Sequence, residues 1–352
     1  MNNDFDIDSL VRPNIRSLKP YHSARQDFLT GVLLDANENS FGSTLDCKDA
    51  ELNRYPDPFQ VELRTKLGQL NNVSPESVFV GVGSDEVIDV LIRVFCEPRK
   101  DAVLLLEPTY GMYRVAASIQ DVRVDSCLLA NDFQIDRNET RQAIRKRTKL
   151  IFCCSPNNPT ANLLKTDDIL ELCKLGKLLV VDEAYIDFAR TESVAQFISE
   201  YPNLIVMRTL SKAWGLAGIR LGYCIAHPSI ISYMMKVKWP YNINTLTSKA
   251  AISAIHNIDR MKTIVKQIIK EREWLRLQLH HLPKIVTVFP SDANFILVRT
   301  TDATGIYKAL ASRNIIVRNR SSEPRLEQCL RITVGTRDEN ELLIKTWKEL
   351  FQ

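Results

Sequence analysis

Lys212 stands in TLSKAWGLAG, directly after the apolar run NLIVMRT and among small and apolar neighbours. Such surroundings lower an amine's pKa and suit it to Schiff-base chemistry. A lone lysine is more often a solvated surface residue, so its partners matter. Asp182 closes LLVVDEAY, where four aliphatics precede the carboxylate. A carboxylate at the end of a buried run needs a cationic or hydrogen-bonding partner. A protonated pyridine nitrogen would supply one, and Tyr185, three residues on, could reach a neighbouring phenolate oxygen. Taken alone, Asp182 could equally cap a helix beginning at Glu183. GVGSDE, after Val80, puts Ser84 and Asp85 at a strand-to-helix turn. Backbone N–H groups and the helix dipole favour a phosphate there. The third glycine position of GxGxxG holds Glu86 and no GK[ST] follows, so a single phosphate fits better than a pyrophosphate, and a nicotinamide dehydrogenase is disfavoured.

The elements that must position these residues are legible as patterns. SVFVGV, AVLLLEP, LIFCCSP, LLVVDEA, NLIVMRT and RLGYCIA are short apolar runs that read as buried parallel strands. Helical spacing lies between them, as at 84–96 and 166–175, and Ser84 or Asp85 is expected to cap the first of these helices. The fold class is therefore α/β, a mostly parallel sheet with crossover helices. Ligands of such sheets bind beyond the carboxyl ends of the strands, where GVGSDE, SPNNPT, DEAY and TLSKAW all fall. A long, charged helical stretch over 246–282 leads away into a second lobe. There VTVFP, NFILVR, NIIVRNR and LRITVG read as strands, with helices near 304–313 and 339–351, giving a smaller α+β unit. The first 35 or so residues have no strong period and are expected to wrap onto this lobe or a partner.

The 352 residues are 45% hydrophobic and 25% charged, which allows two lobes and excludes a disordered chain. A net charge of +4, spread along the chain, provides neither a nucleic-acid tail nor a membrane patch. MNNDFDIDSLVRPN lacks the basic and apolar regions of a secretory signal, so the expected location is the cytoplasm. Eight cysteines (Cys47, Cys96, Cys127, Cys153, Cys154, Cys173, Cys224, Cys329) form no CxxC pair and read as reduced packing residues, with no metal expected. Cys153 and Cys154 should face opposite sides of a strand.

TLSKAWGLAG resembles, position for position, the lysine signature of the fold-type I, class II pyridoxal-phosphate aminotransferases. GSDE, PTYGMY, SPNNPT, VDEAY and SKAWGLAGIRLGY follow that family's order and rough spacing, so the resemblance covers nearly the whole chain. RPNIRSLKPYHSAR, LDANENSFG, RYPDP and CLRITVGTRDENE are similar to its histidinol-phosphate branch. Two departures are Ala161, where the family has glycine, and Ser40, where it has proline. Ala161 is expected to take an ordinary backbone conformation.

The resemblance implies a fold-type I transferase with an N-terminal arm at 1–35, a large cofactor domain at 36–270 and a small α+β domain at 271–352. Lys212 would carry pyridoxal 5′-phosphate and shuttle the proton, Asp182 would keep the pyridine nitrogen protonated, and Tyr185 and Asn157 would bond the ring's O3′. Tyr110 would stack on the ring, and Ser84, Asp85, Ser211 and Arg220 would hold the phosphate. Tyr55 would come from the neighbouring subunit of a homodimer with shared active sites. Arg331, with Arg318 as a second contact, would bind the anionic group of L-histidinol phosphate or of glutamate and 2-oxoglutarate, and Tyr21 would lie near the imidazole. Arg320 is read as an exposed strand end. An aromatic amino-acid aminotransferase or a threonine-phosphate decarboxylase would use the same lysine, aspartate and tyrosines. A non-catalytic binding protein of the same fold would be expected to lose the lysine.

Overall fold

The computed structural model describes residues 5–45 and 51–351, so Cys47 lies outside the described residues. Seven strands build the larger sheet: β1 (Val78–Val82), β2 (Ala102–Glu107), β3 (Arg123–Leu128), β4 (Thr148–Cys154), β5 (Leu178–Asp182), β6 (Leu204–Thr209) and β7 (Leu221–Ala226). Their order is β1-β7-β6-β5-β4-β2-β3. All run parallel except β7, which is antiparallel to both neighbours. Reading RLGYCIA as another parallel strand is thus corrected. A strand buried on both faces shows the same apolar run in either direction. The connection from Thr209 to Leu221 holds only a short 3-10 turn at Ala217–Ile219, too little for the crossover that a parallel partner requires. β3 was not legible as a strand, because it is an edge strand whose sequence, RVDSCL, buries only Cys127.

Alternation along the strands feeds two cores. Val78, Val80, Leu104 and Cys153 face a layer that includes Leu63, Leu67, Ile169 and Ala251, whereas Phe79, Val103, Leu105 and Phe152 face one that includes Val87, Leu91, Tyr113 and Ile230. The sheet is therefore covered by helices on both faces. Ile7, Val11 and Ile15 join the second core, and Arg12 N–H donates to Val94 O at 3.0 Å. The N-terminal segment thus packs on the helical layer of the large sheet and not on the small lobe.

The charged stretch is two helices, Thr245–His256 and Ile258–Leu279, separated at Asn257. The second leads to a fully antiparallel sheet of β8 (Ile285–Val288), β9 (Phe295–Thr300), β10 (Arg318–Asn319) and β11 (Cys329–Thr333), ordered β10-β11-β9-β8. Helices Ala303–Ala311 and Arg337–Phe351 cover it, with Trp347 fully buried among Ile296, Val298 and Leu330. NIIVRNR supplies only the two residues of β10, and Ile316 is 73% exposed. Arg318 pairs with Arg331, and Arg320 N–H continues the ladder to Cys329 O at 2.9 Å. Residues two apart on a strand share a face, so Arg318, Arg320 and Arg331 share one.

Candidate active site

A cavity of about 740 Å³ opens beyond the carboxyl ends of the parallel strands, with one wall from each sheet. Lys212, just past β6, lines it. Burial depresses the Lys212 amine, Arg331 adds to the effect, and Asp182 opposes it. Its Nζ lies 5.6 Å from the centroid of the Tyr185 ring. Tyr185 also lines the cavity, and burial raises its phenol.

Asp182, the last residue of β5, is buried, and that burial raises its carboxyl. Two donors already hold it: Tyr113 Oη–H to Oδ2 at 2.7 Å and Ala184 N–H to Oδ1 at 3.1 Å. Sequence reasoning missed Tyr113. It sits one helical turn after Tyr110, fully buried and stacked on Phe152 at 4.8 Å, so its hydroxyl reaches under the sheet end. The available signal was a tyrosine among the apolar, inward-facing positions of the helix Met112–Ile119.

The helix Gly83–Phe95 starts where β1 ends, and its N-cap is Val82, without a side-chain cap. Ser84 and Asp85 therefore occupy the first turn instead of capping it. Glu86 turns back to accept from Val82 N–H at 2.5 Å. A Cβ on Gly222 would stand 2.2 Å from Ser84 N, so only glycine lets β7 lie against this helix head. Arg220, in the left-handed region at φ 53°, accepts from Gly83 N–H at 2.9 Å and pairs with Asp85 at 3.2 Å. Asp85 also accepts from Tyr110 Oη–H at 3.3 Å. Its carboxylate holds Arg220 and Tyr110 in place, since a carboxylate beside a phosphate would repel it. The donors left for an anion are the first-turn N–H groups after Gly83, the hydroxyls of Ser84 and Ser211, and Arg220. Thr209, also unnoticed in the sequence, bonds Ser211 Oγ at 3.0 Å and accepts from its N–H at 3.1 Å.

Asn157 does not line the cavity. Its amide donates to Pro108 O at 2.9 Å and to Thr160 Oγ1 at 2.7 Å, and its neighbour Asn158 faces the space instead. Ala161 corrects another expectation, because it takes φ 68°. That conformation costs a non-glycine residue about 1–2 kcal/mol. Two bonds of 2.7 Å, from Ala161 N–H to Asn157 O and from Asp292 N–H to Ala161 O, hold it and tie this loop to the approach to β9.

From the small sheet come Arg318, Arg320 and Arg331. Arg331 donates to Asn158 Oδ1 and lies 5.2 Å over the Phe295 ring. Burial lowers its guanidinium, and the like charges of Arg320 and Arg318 act in the same direction. The reading of Arg320 as an exposed strand end is overturned: its side chain is 16% exposed and paired with Glu323 inside the cavity. Tyr55 and Tyr21 lie elsewhere. Tyr55 is 49% exposed and stacks on Tyr241 at 4.5 Å, and Tyr21 is 73% exposed, beside Trp239 and Pro240. The described cysteines are free and buried, with Cys153 in the core and Cys154 lining the cavity, on opposite faces of β4.

A model of the family described as aminotransferase class I and II matches residues 30–346. The chain is 47% identical over 347 residues to the histidinol-phosphate aminotransferase of Cytophaga hutchinsonii, covering 98% of this chain and 99% of that protein. In fold it is similar to the crystal structure of the histidinol-phosphate aminotransferase from Clostridium acetobutylicum, with a TM-score of 0.79 and 24% identity over 85% of this chain and 91% of that one. The enzyme of that name from Sinorhizobium meliloti, solved in complex with pyridoxal-5′-phosphate, gives a TM-score of 0.77 at 24% identity, covering 90% of this chain and 89% of that one.

Proposed function

The chain belongs to the class I and II aminotransferase family, and on that premise we propose that it moves the amino group of L-histidinol phosphate reversibly to 2-oxoglutarate, giving imidazole-acetol phosphate and L-glutamate in histidine biosynthesis. It is a pyridoxal-phosphate-dependent enzyme. The residues present fit that cofactor. A buried carboxylate with two donors suits a ring nitrogen that carries a proton, a depressed amine suits the aldehyde, and a helix head with two serines and Arg220 suits a phosphate monoester.

When bound, pyridoxal phosphate supplies the sink for the electron pair released as the substrate's Cα–H bond breaks. Lys212 Nζ, whose neutral form burial favours, would take the proton from Cα and carry it to the acceptor carbon. Asp182 stabilises a positive charge on the ring nitrogen, and Tyr113 orients Asp182. Ser84, Ser211, Arg220 and the N–H groups after Gly83 in the first turn of the helix Gly83–Phe95 would hold the cofactor phosphate, with Asp85 positioning Arg220. Tyr185 and Asn158 hold the ring's oxygen substituent, a place first assigned to Asn157.

The observation that carries the substrate is the presence of two anion sites in one cavity, one from each sheet, whose arginines Arg220 and Arg331 both act on the Lys212 amine. The first takes the cofactor. The second, Arg331 with Arg318, takes the phosphate of histidinol phosphate or the distal carboxylate of glutamate. Tyr55 and Tyr21, outside this chain's own cavity, support a homodimer in which Tyr55 completes the partner's site. Among the described residues no helix is long and apolar enough to cross a membrane, and we place the enzyme in the cytoplasm.

The test is a half-reaction. The loaded protein is mixed separately with L-histidinol phosphate, phenylalanine and threonine phosphate, and conversion of the cofactor to pyridoxamine phosphate is followed by absorbance. Fastest conversion at low histidinol phosphate is the expected result. Preference for phenylalanine would remove the histidine-pathway reading, and decarboxylation of threonine phosphate would replace transamination.

A further inference from the structure

Arg320 and Glu323 stand apart from the rest of the anion site. Arg320 lies on the same face as Arg318 and Arg331, yet its guanidinium is paired with Glu323, three residues on in the β10–β11 turn. Both side chains line the cavity, at 16% and 23% exposure. The pair leaves the turn under-satisfied: Arg320 Nε, Ser321 Oγ and Glu323 Oε2 are buried without a hydrogen-bond partner. Of these, the donor Arg320 Nε is the atom that an anion in the cavity could supply with an acceptor. Arg331, in contrast, is already engaged by Asn158.

The two substrates of the proposed reaction differ in the anion they bring here. A carboxylate has two oxygens and a single charge, which one arginine fork satisfies. A phosphate monoester presents three terminal oxygens and roughly −1.5 to −2 charges near neutral pH. Glu323 is itself a carboxylate, so a substrate carboxylate competes for Arg320 like for like, whereas a phosphate brings the stronger charge and more acceptors. Burial raises the Glu323 carboxyl, and Arg320 opposes that rise.

We propose that Arg320 is a specificity-determining third anion contact, kept on Glu323 while the cavity holds a carboxylate and drawn onto a phosphate monoester when one binds. This rests on the reading of the site as one that takes histidinol phosphate and glutamate in turn. Glu323 then keeps the dicarboxylate from binding as tightly as the phosphate ester, so each can displace the other through the catalytic cycle.

The experiment compares wild-type holoenzyme with Arg320→Gln and Glu323→Gln. Calorimetry measures binding of inorganic phosphate and of glutarate, with the cofactor's own phosphate site filled. Single-turnover half-reactions then measure KM and limiting rate for L-histidinol phosphate and L-glutamate. Arg320→Gln should weaken inorganic phosphate and raise KM for histidinol phosphate about ten-fold, leaving glutarate, glutamate and both limiting rates within about two-fold. Glu323→Gln should tighten glutarate and lower KM for glutamate about three-fold or more, narrowing the preference for phosphate. Equal effects on both anions in either variant, or no effect in both, would overturn the proposal. Should wild type fail to convert histidinol phosphate, the function reading falls, and the two binding titrations still decide the role of Arg320.

Discussion

The two walls of the cavity are built on opposite principles. On the large-sheet wall the groups around Lys212 already have protein partners: Asp182 has Tyr113 and Ala184, and Arg220 has Asp85, which also takes Tyr110. On the small-sheet wall three like charges share a face, and the turn beside them leaves Arg320 Nε and Glu323 Oε2 buried without partners. A prepared wall suits a cofactor that stays through every turnover, because its dipoles need no reorganisation. An under-satisfied wall suits ligands that must exchange. The difference teaches where rigidity serves this molecule and where it would hinder.

Mutations on the two walls should therefore differ in kind. The largest effect is expected for Lys212→Ala, which should keep the fold, bind cofactor without covalent capture and lose transamination by on the order of 10⁴-fold or more in single-turnover rate. A full-rate variant would remove Lys212 from the reaction. In cofactor-free wild type, the rate of capture should rise with pH and level off below 10.5, the ordinary lysine value, because burial favours the neutral amine. A profile still climbing past that pH would contradict the depressed amine.

Asp182→Asn comes next. It preserves volume and removes the charge, so cofactor should still bind while the limiting rate falls about 10²- to 10³-fold. Unchanged turnover would contradict its role at the ring nitrogen. Arg331→Gln, across the cavity, should act on binding instead, raising KM for both anionic substrates roughly 10- to 100-fold with little change in limiting rate. If its effect fell on the limiting rate with KM intact, the contrast between the walls would fail. Tyr113→Phe should have the smallest effect, a several-fold drop in limiting rate and about 1–3 kcal/mol of stability, since Asp182 Oδ2 loses a buried donor. The bound cofactor's absorbance should then titrate at a different pH from wild type. An unshifted titration would leave Tyr113 with packing alone.

Much of the prepared wall was legible, because its residues follow apolar runs by a fixed local rule. GVGSDE, VVDEAY and TLSK each place a polar residue at a strand end, and strand ends converge in a parallel sheet. What escaped depends on which way one side chain turns. Asn157 and Asn158 are adjacent and alike, and only the path of the loop, held by Ala161 and Asp292, turns the second toward the cavity. Tyr113 is hidden in a helix that reads as core. Arg320 looked like a solvated strand end because its partner, Glu323, belongs to a turn whose shape the local sequence does not specify.

By itself, the sequence determined the order along the chain of every large-sheet strand except β3, the small-sheet strands apart from the length of β10, and the polar residues that follow β1, β4, β5 and β6. Those features come from local pattern: apolar runs, glycine at close approaches and helical spacing. Tertiary structure decided the direction of β7, the edge pairing of β3, the packing of the N-terminal segment and the meeting of Arg318, Arg320 and Arg331 with Lys212 in one cavity. Each of these joins residues far apart in the chain, and their closeness depends on the burial and pairing of whole elements, which no short window of residues contains.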